Sequence, residues 1–312
     1  MIDTNVIILN WNNGPDTVAC IGSIIALPNV RITVLDNYST DNSVEIIMNY
    51  LKANALYYIT TDLSAKEELN ELPAKVVIVR SSENLGFAKG CNAMMRYFIN
   101  DATIKYTWLL NNDAIAKDTA LPAMIAKMGE DERNAFVGSV ILDYNKPKQI
   151  QCFGVDYYKY FGVSKLILKH EEWDKVDKKN LPVDKIEFQH GASLLVRMSA
   201  LKEIGLMDED FFLYFEEQDW QFRARALGYK NVIADKSLVY HKGSVSTNTK
   251  KYLFYYYYNK SAIIFSRKHY NALVVLSATL MLTGITFVRT KLTVKSLQWG
   301  MKGILNALAK KM

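Results

Sequence analysis

The stretch VIILNWNNGPDT, residues 6–17, decides how the rest of the chain is read. Four apolar residues run directly into Asn10, Trp11, Asn12 and Asn13, then Gly14 and Pro15. A short unbroken apolar run bounded by polar residues is the mark of a strand buried on both faces. Amides crowded at its carboxyl end form either an ordinary polar turn or one wall of a ligand site.

The same pattern recurs. Strands are expected at 5–9, 31–35, 75–79 and 106–110, with helices at about 16–27, 43–56 and 86–100 between them, the second capped by Asp41 or Asn42. This alternation implies an α/β fold, a Rossmann-like and mostly parallel sheet flanked by helices. Residues 60–74, TTDLSAKEELNELPA, read as a polar surface insertion. Residues 151–168, QCFGVDYYKYFGVSKLIL, suit a hairpin flanking the site. Trp11 and Trp108 are expected in the core rather than as platforms for a sugar ring.

Ligands of an open parallel sheet bind beyond the carboxyl ends of its strands. Four polar clusters follow those ends: Asn10–Asn13; Asp36, Asn37, Ser39 and Asp41; Asn84, Gly86, Lys89 and Asn92; and Asn111, Asn112 and Asp113. Any one alone is an ordinary turn. Together their chemistry suits a nucleotide. Asp36 can accept the imide hydrogen of a uracil or thymine, the amides and Ser39 suit ribose hydroxyls, and Lys89 suits phosphate. Gly86 and Gly90 let backbone approach a ligand. Asp113 is placed to hold Mg²⁺ or Mn²⁺ through oxygen. Neither a dinucleotide glycine fingerprint nor a P-loop is present.

Composition narrows the class. Half of the 312 residues are hydrophobic, so the chain can bury a large core. Cys20, Cys91 and Cys152 are few and widely spaced, which argues against a disulfide framework or zinc site and fits a reducing compartment. The N-terminus has no basic region followed by a long apolar one, so a cytoplasmic start is expected. Residues 236–312 contain 13 Lys or Arg and no Asp or Glu, whereas the first 235 residues carry 25 basic and 32 acidic side chains, a net of −7. An acidic body with a basic tail implies an anionic partner.

Six motifs carry a resemblance: VIILNWNN, VLDNYSTDNS, NLGFAKGCN, WLLNNDA, HGASLLVRMSALKEIGLMDEDFFLYFEEQDWQFRARALGYK and VYHKGSVS. In this order, from residue 6 to about 246, the chain resembles the family 2 glycosyltransferases of the GT-A fold, near the branch that transfers rhamnose or galactofuranose. The resemblance implies that Asn111–Asp113 occupies the D-x-D position, with Asn111 replacing the first Asp and Asp113 the stronger metal ligand. It implies that His241 completes the metal site and that His190, Gly191 and Ala192 line the acceptor pocket. In FFLYFEEQDWQF, Glu217 aligns with the general base, with Asp219 the second choice and Glu216 beside the substrate. Read without the resemblance, these acids also complement a helix dipole and His241 is a structural histidine.

The tail decides the partner. Residues 270–288 form 19 positions without formal charge, about 28 Å as a helix at ~1.5 Å per residue. Both flanks are basic, and five Ser, Thr or Gly dilute the run. In-plane or re-entrant membrane association is therefore expected over a simple span or a soluble packing helix. Val294, Leu297, Met301, Ile304, Leu305 and Leu308 continue as a helical stripe opposite Lys295, Lys302 and Lys310. Nucleic acid is the poorer partner for so long an uncharged segment.

Together these readings give a GT-A domain at 1–248 and a basic amphipathic helical tail at 249–312. The expected activity is metal-dependent, inverting sugar transfer at the cytoplasmic membrane face. A UDP- or dTDP-sugar would be the donor, and a glycan or lipid-linked glycan of surface polysaccharide synthesis the acceptor. The rivals are a sugar nucleotidyltransferase and an inactive membrane-bound nucleotide-sugar binder. Oligomeric state is not legible.

Overall fold

The structure is a computed structural model that describes residues 2–65, 74–243, 251–290 and 293–311. The first half runs β1 (Thr4–Asn10), α1 (Gly14–Ile24), β2 (Val30–Asp36), α2 (Ser43–Ala53), β3 (Tyr58–Asp62), β4 (Val76–Arg80), α3 (Gly86–Phe98) and β5 (Tyr106–Leu110). The second half continues β6 (Ala114–Ala116), α4 (Ala120–Gly129), β7 (Asn134–Asp143), β8 (Ile150–Cys152), β9 (Val155–Tyr158), β10 (Val163–Leu166), β11 (Ser193–Arg197), α5 (Met198–Ile204), α6 (Glu216–Ala226) and β12 (Lys230–His241). Three helices follow: α7 (Lys251–His269), α8 (Ala272–Arg289) and α9 (Val294–Ala309).

The sheet has the order β3-β4-β2-β1-β5-β11-β7-β12-β6, with β8 paired to β7. Strands β1 to β5 are mutually parallel, as expected of strands joined by helical crossovers. Side chains alternate across it. Val6 and Ile8 join Ile21 and Ile24 of α1 and Leu51 of α2, while Ile7 joins Met94, Met95 and Phe98 of α3. A helical layer on each face buries the apolar runs completely, which is why they read as continuous rather than alternating.

Two expectations are corrected here. Tyr58–Asp62, placed partly in a surface insertion, is the edge strand β3, paired parallel to β4; residues 66–73 of that insertion lie outside the described residues. Trp11 is not in the core: it is 43% exposed, because it falls just past the last residue of β1, where strand alternation stops. Trp108 is fully buried, and its indole N–H donates to Ser193 Oγ at 2.9 Å. The expected hairpin is present as β9 and β10, antiparallel, with Val163 opposite Tyr158.

The tail packs against the body. Ala262, Ile263, Ile264 and Phe265 of α7 are fully buried, in one core with Phe188 and Phe215. The Phe265 ring lies 5.2 Å from Tyr157, 5.6 Å from Phe215 and 5.7 Å from Phe222 of α6. Packing therefore joins α7 to the same core as the body. Helices α8 and α9 lean on α7 in turn. The buried Asn259 amide of α7 donates to Thr286 Oγ1 of α8 at 2.8 Å and to the Gly300 carbonyl of α9 at 3.1 Å. Gly303 brings α9 so close to α7 that a Cβ there would run into the Tyr256 carbonyl.

That close approach yields a test. Gly303→Val is expected to destabilise the protein by about 1–3 kcal/mol, the usual cost of overpacking. Thermal unfolding reads the loss, and limited proteolysis should cut α9 first.

Candidate active site

The site is assembled by strand ends. Asn10 stands opposite Asp36 in the β1–β2 register, so both polar ends form one ledge. Asn10 Nδ2 donates to Asp36 Oδ1 at 2.7 Å and to Ser39 Oγ at 3.1 Å, and its Oδ1 accepts from Thr17 Oγ1 at 2.7 Å. Ser39 Oγ also donates to Asp36 Oδ1 at 2.6 Å. Asn12 adopts φ +52° and accepts from the Thr40 N–H at 2.7 Å. Asn10 is wholly buried and holds Asp36, whereas Asn12 and Trp11 are exposed at the rim.

Three amides expected to touch a ligand are committed to the fold. Asn37 Oδ1 accepts from Leu85 N–H at 2.9 Å, and its Nδ2 donates to the Gly86 carbonyl at 3.2 Å. Asn84 Oδ1 accepts from Gly86 N–H at 2.9 Å. Gly86 has φ +72°, and a Cβ there would lie 2.6 Å from the Phe212 carbonyl, so only glycine fits. Asn92 is 1% exposed and bonds both the N–H and the carbonyl of Met207, which ties α3 to the loop before α6 and removes it from the ligand side. Lys89 pairs with Glu83 at 3.2 Å on the surface.

The far wall is built by β11. It runs antiparallel to β5 with Ser193 opposite Leu110, so residues 190–192 before it lie beside Asn111–Asp113 after β5. Asn111 N–H donates to the Ala192 carbonyl at 3.0 Å. β12 ends at His241 beside β6, which brings His241 Nε2 within 3.1 Å of Asp113 Oδ1 and 3.2 Å of Asn111 Nδ2. His241 Nδ1 lies 2.6 Å from Gln151 Oε1. A carbonyl partner takes a proton on Nδ1, so the neutral ring turns its Nε2 lone pair to Asp113 and the protonated ring donates to it. Burial would raise the Asp113 pKa, but the His241 hydrogen bond and charge and the Lys242 ammonium outweigh it and hold the carboxyl below its ordinary range. Asn112 Nδ2 donates to Thr17 Oγ1 at 3.1 Å, and Lys242 pairs with Asp16. The His190 ring lies 5.9 Å from that of His241; its surroundings and His241 lower its pKa to about 3 and keep it neutral.

Glu216, Glu217 and Asp219 share the first turn of α6 but not one environment. Glu217 is the only one of the three that is partly open to solvent. Its carboxylate accepts from the Gly191 N–H, its Oε2 has no partner, and burial raises its pKa to about 7. Glu216 is 4% exposed; burial and then the Glu217 charge push its pKa well up. Asp219 is 1% exposed and closed by two partners, the His269 ring through Nε2 at 2.7 Å and the Arg223 guanidinium through Nε at 2.9 Å. Burial opposes ionisation there, but these partners outweigh it and lower its pKa. Tyr214 and Phe215, just before the helix, both adopt φ +67°, a strained entry of about 1–3 kcal/mol per residue.

The structure thus joins Asp113, His241, Asn111, His190, Gly191 and Glu217 along one wall, with Asp36 on the adjoining ledge. A family model described as glycosyl transferase family 2 matches residues 5–205. The chain belongs to this family. It is a glycosyltransferase with the GT-A fold, which removes the nucleotidyltransferase rival. Comparison with curated proteins returned no match. Among solved structures, a mannosyltransferase of Pyrobaculum calidifontis, in complex with GDP-Man and Mn²⁺, superposes with TM-score 0.57 at 13% identity, covering 99% of this chain and 76% of its own. TarS of S. aureus, residues 1–349, gives 0.52 at 12% identity over 99% and 81%. GalNAc-T7 with UDP, GalNAc and Mn²⁺ gives 0.62 at 14% over 99% and 57%. At such identities the likeness is one of fold.

Gln151, Lys242, Arg223 and His269 support this wall, and none of them is among the expected site residues. Lys242 adjoins His241 in VYHKGS, so its position was available; Gln151 and His269 carry no local signal. Asp219→Asn tests the buried ion pairs. A depressed carboxyl pKa gives stability that is complete above about pH 4, the unfolded value, and that is lost as pH falls through the folded one. The variant is expected to be less stable by on the order of 3 kcal/mol at neutral pH, with the gap closing toward about pH 3. Denaturant unfolding at the two pH values measures it.

Proposed function

We propose that this glycosyltransferase moves a sugar, with inversion, from a UDP- or dTDP-sugar to a glycan or lipid-linked acceptor at an anionic membrane surface. One observation carries the reading: the 190–192 loop touches both the Asp113–His241 corner and the Glu217 carboxylate. Donor and acceptor chemistry are thereby brought to one wall.

Glu217 is the base in this reading. A carboxylate titrating near neutrality takes a hydroxyl proton more readily than one of ordinary pKa, and the Gly191 N–H aims it. The acceptor O–H gives its proton to Glu217 while its oxygen bonds the anomeric carbon. The bond from that carbon to the diphosphate oxygen breaks, and the diphosphate leaves with the electron pair. Asp219, closed by Arg223 and His269, anchors α6 so that Glu217 stays against Gly191. Asp36, held by Asn10 and Ser39, receives the nucleobase, with Asn12 at the rim.

The corner fits a divalent metal. With the ring neutral, His241 Nε2 and Asp113 Oδ1 present two lone pairs 3.1 Å apart, and a proton or a cation between them satisfies both. Among the described residues no three His, Cys, Asp or Glu converge, so Asp113 and His241 would hold the ion with Asn111 beside them. Mg²⁺ or Mn²⁺ bound there would neutralise charge growing on the leaving diphosphate. The solved neighbours with Mn²⁺ support the assignment.

Membrane association rests on α8. By length and composition it is apolar enough to cross a bilayer, with mean hydropathy 1.8. It turns one face, Val274, Ala278, Leu282 and Thr286, inward and leaves the opposite face exposed. A helix held along one side by its own protein is suited to lie in the interface rather than span. Resemblance to the rhamnosyl branch makes dTDP-rhamnose the first donor to test.

Four variants check the assignment. Glu217→Gln is expected to lower turnover ~10²–10⁴-fold with donor affinity intact, whereas Glu216→Gln retains a base. In the parent enzyme kcat/KM should rise with pH through about 7, as Glu217 ionises. Asp113→Ala should abolish the response to Mg²⁺ or Mn²⁺, and full parent activity in chelator would remove the metal from the scheme. Asp36→Ala should weaken nucleotide binding, read by calorimetry with the free nucleoside diphosphate.

A further inference from the structure

The tip of the β9–β10 hairpin leaves three large rings outside the core. Tyr158, Tyr160 and Phe161 are 41%, 52% and 41% exposed. Lys159 stands among them, its Nζ 5.3 Å from the Tyr160 ring centre and 5.9 Å from that of Tyr270. Aromatic rings interleaved with a lysine are ill suited to bulk water and well suited to a headgroup layer, where an apolar body and a polar tip are both satisfied.

This tip is continuous with the outer face of α8. Ser277 Oγ donates to the Tyr160 carbonyl at 3.0 Å, and a Cβ at Gly162 would stand 3.5 Å from Ala278 Cβ. Leu273 and Leu280 lie one turn either side of Ser277, and Leu276 is its neighbour; they are 77%, 64% and 58% exposed. The strip runs on through Met281 and Val288 to the exposed Arg289.

We propose that the hairpin tip and the outer face of α8 form a single docking surface for an anionic bilayer, with Tyr160 and Phe161 entering the headgroup layer. The inference rests on the membrane reading above and extends it from the tail to the catalytic body. Charge selects the occupant. Residues 236–312 hold no acidic side chain, and Lys159, Arg289 and Lys295 are exposed. A second copy meeting this face symmetrically would set these cations against themselves, whereas anionic headgroups neutralise them. The surface also leads to the chemistry. Ser164 of β10 donates through Oγ to Gln218 Oε1 at 3.1 Å, next to Glu217. One short hairpin thus spans from the bilayer to the base, which suits an acceptor that emerges from the lipid.

The test uses the full chain and sedimentation with phosphatidylcholine vesicles, with and without about 30% phosphatidylglycerol. Tyr160→Ser/Phe161→Ser alters only exposed rings, and Leu276→Asp/Leu280→Asp alters only the outer face of α8. Thermal melting verifies that both fold. Each variant is expected to lose about tenfold or more in partition to the anionic vesicles. If the hairpin variant pellets like the parent while the α8 variant is released, the hairpin assignment is overturned and the membrane reading stands. If the α8 variant also pellets undiminished, or the parent never pellets, both fall. A parent that instead forms dimers abolished by the α8 substitutions would show that a second copy covers the face.

Discussion

The direction of one strand organises the site. β11 runs antiparallel between β5 and β7, against the sense of the first five strands. Were it parallel, the loop before it would open on the opposite sheet edge, more than a strand's length from Asp113. Reversed, it delivers His190, Gly191 and Ala192 to the same edge as the ends of β1, β2 and β5. The Asn111–Ala192 backbone bond fixes that meeting at main-chain level, independently of side chains. Buried Ser193, bonded to Trp108 and Ser139, seals the strand beneath it. The Asp113–His241 corner and the wall that meets Glu217 are thus held by sheet register, which is stiffer than any loop.

Burial then differentiates three chemically similar acids. Within four residues of α6, one carboxylate is closed by Arg223 and His269, one is buried without such partners, and one faces a backbone N–H at a partly open wall. The helical repeat of ~3.6 residues makes this possible, since neighbouring positions point about 100° apart. The strained Tyr214–Phe215 entry sets where that rotation begins. Phe215 is fully buried in the core around Phe265, so its packing sustains the strain.

Much of this was legible in the sequence. The apolar runs gave β1, β2, β4 and β5 within about a residue at each end, because strands buried on both faces leave an uninterrupted signal. The clusters at their ends were found for the same reason. β3 was missed because Tyr58–Asp62 is an edge strand, half exposed and poor in apolar residues. Asn37 and Asn92 show a different limit. An amide that shapes a turn and one that lines a pocket have the same sequence context, and only the hydrogen bonds separate them. The His269–Asp219 pair joins residues 50 apart and depends on where α7 packs, which no local pattern encodes.

The burial of α7 has a consequence for synthesis. The family-matching segment ends at residue 205, yet the core around Phe215 closes only with Ile264 and Phe265, and Asp219 meets its second partner only at His269. A ribosome adding about 5–20 residues per second makes that last stretch roughly 3–13 s after the segment is complete. During the interval Asp219 has Arg223 but not His269, and α6 lacks part of its hydrophobic cover. The helix that carries Glu217 therefore completes its packing only late in translation, as α7 emerges.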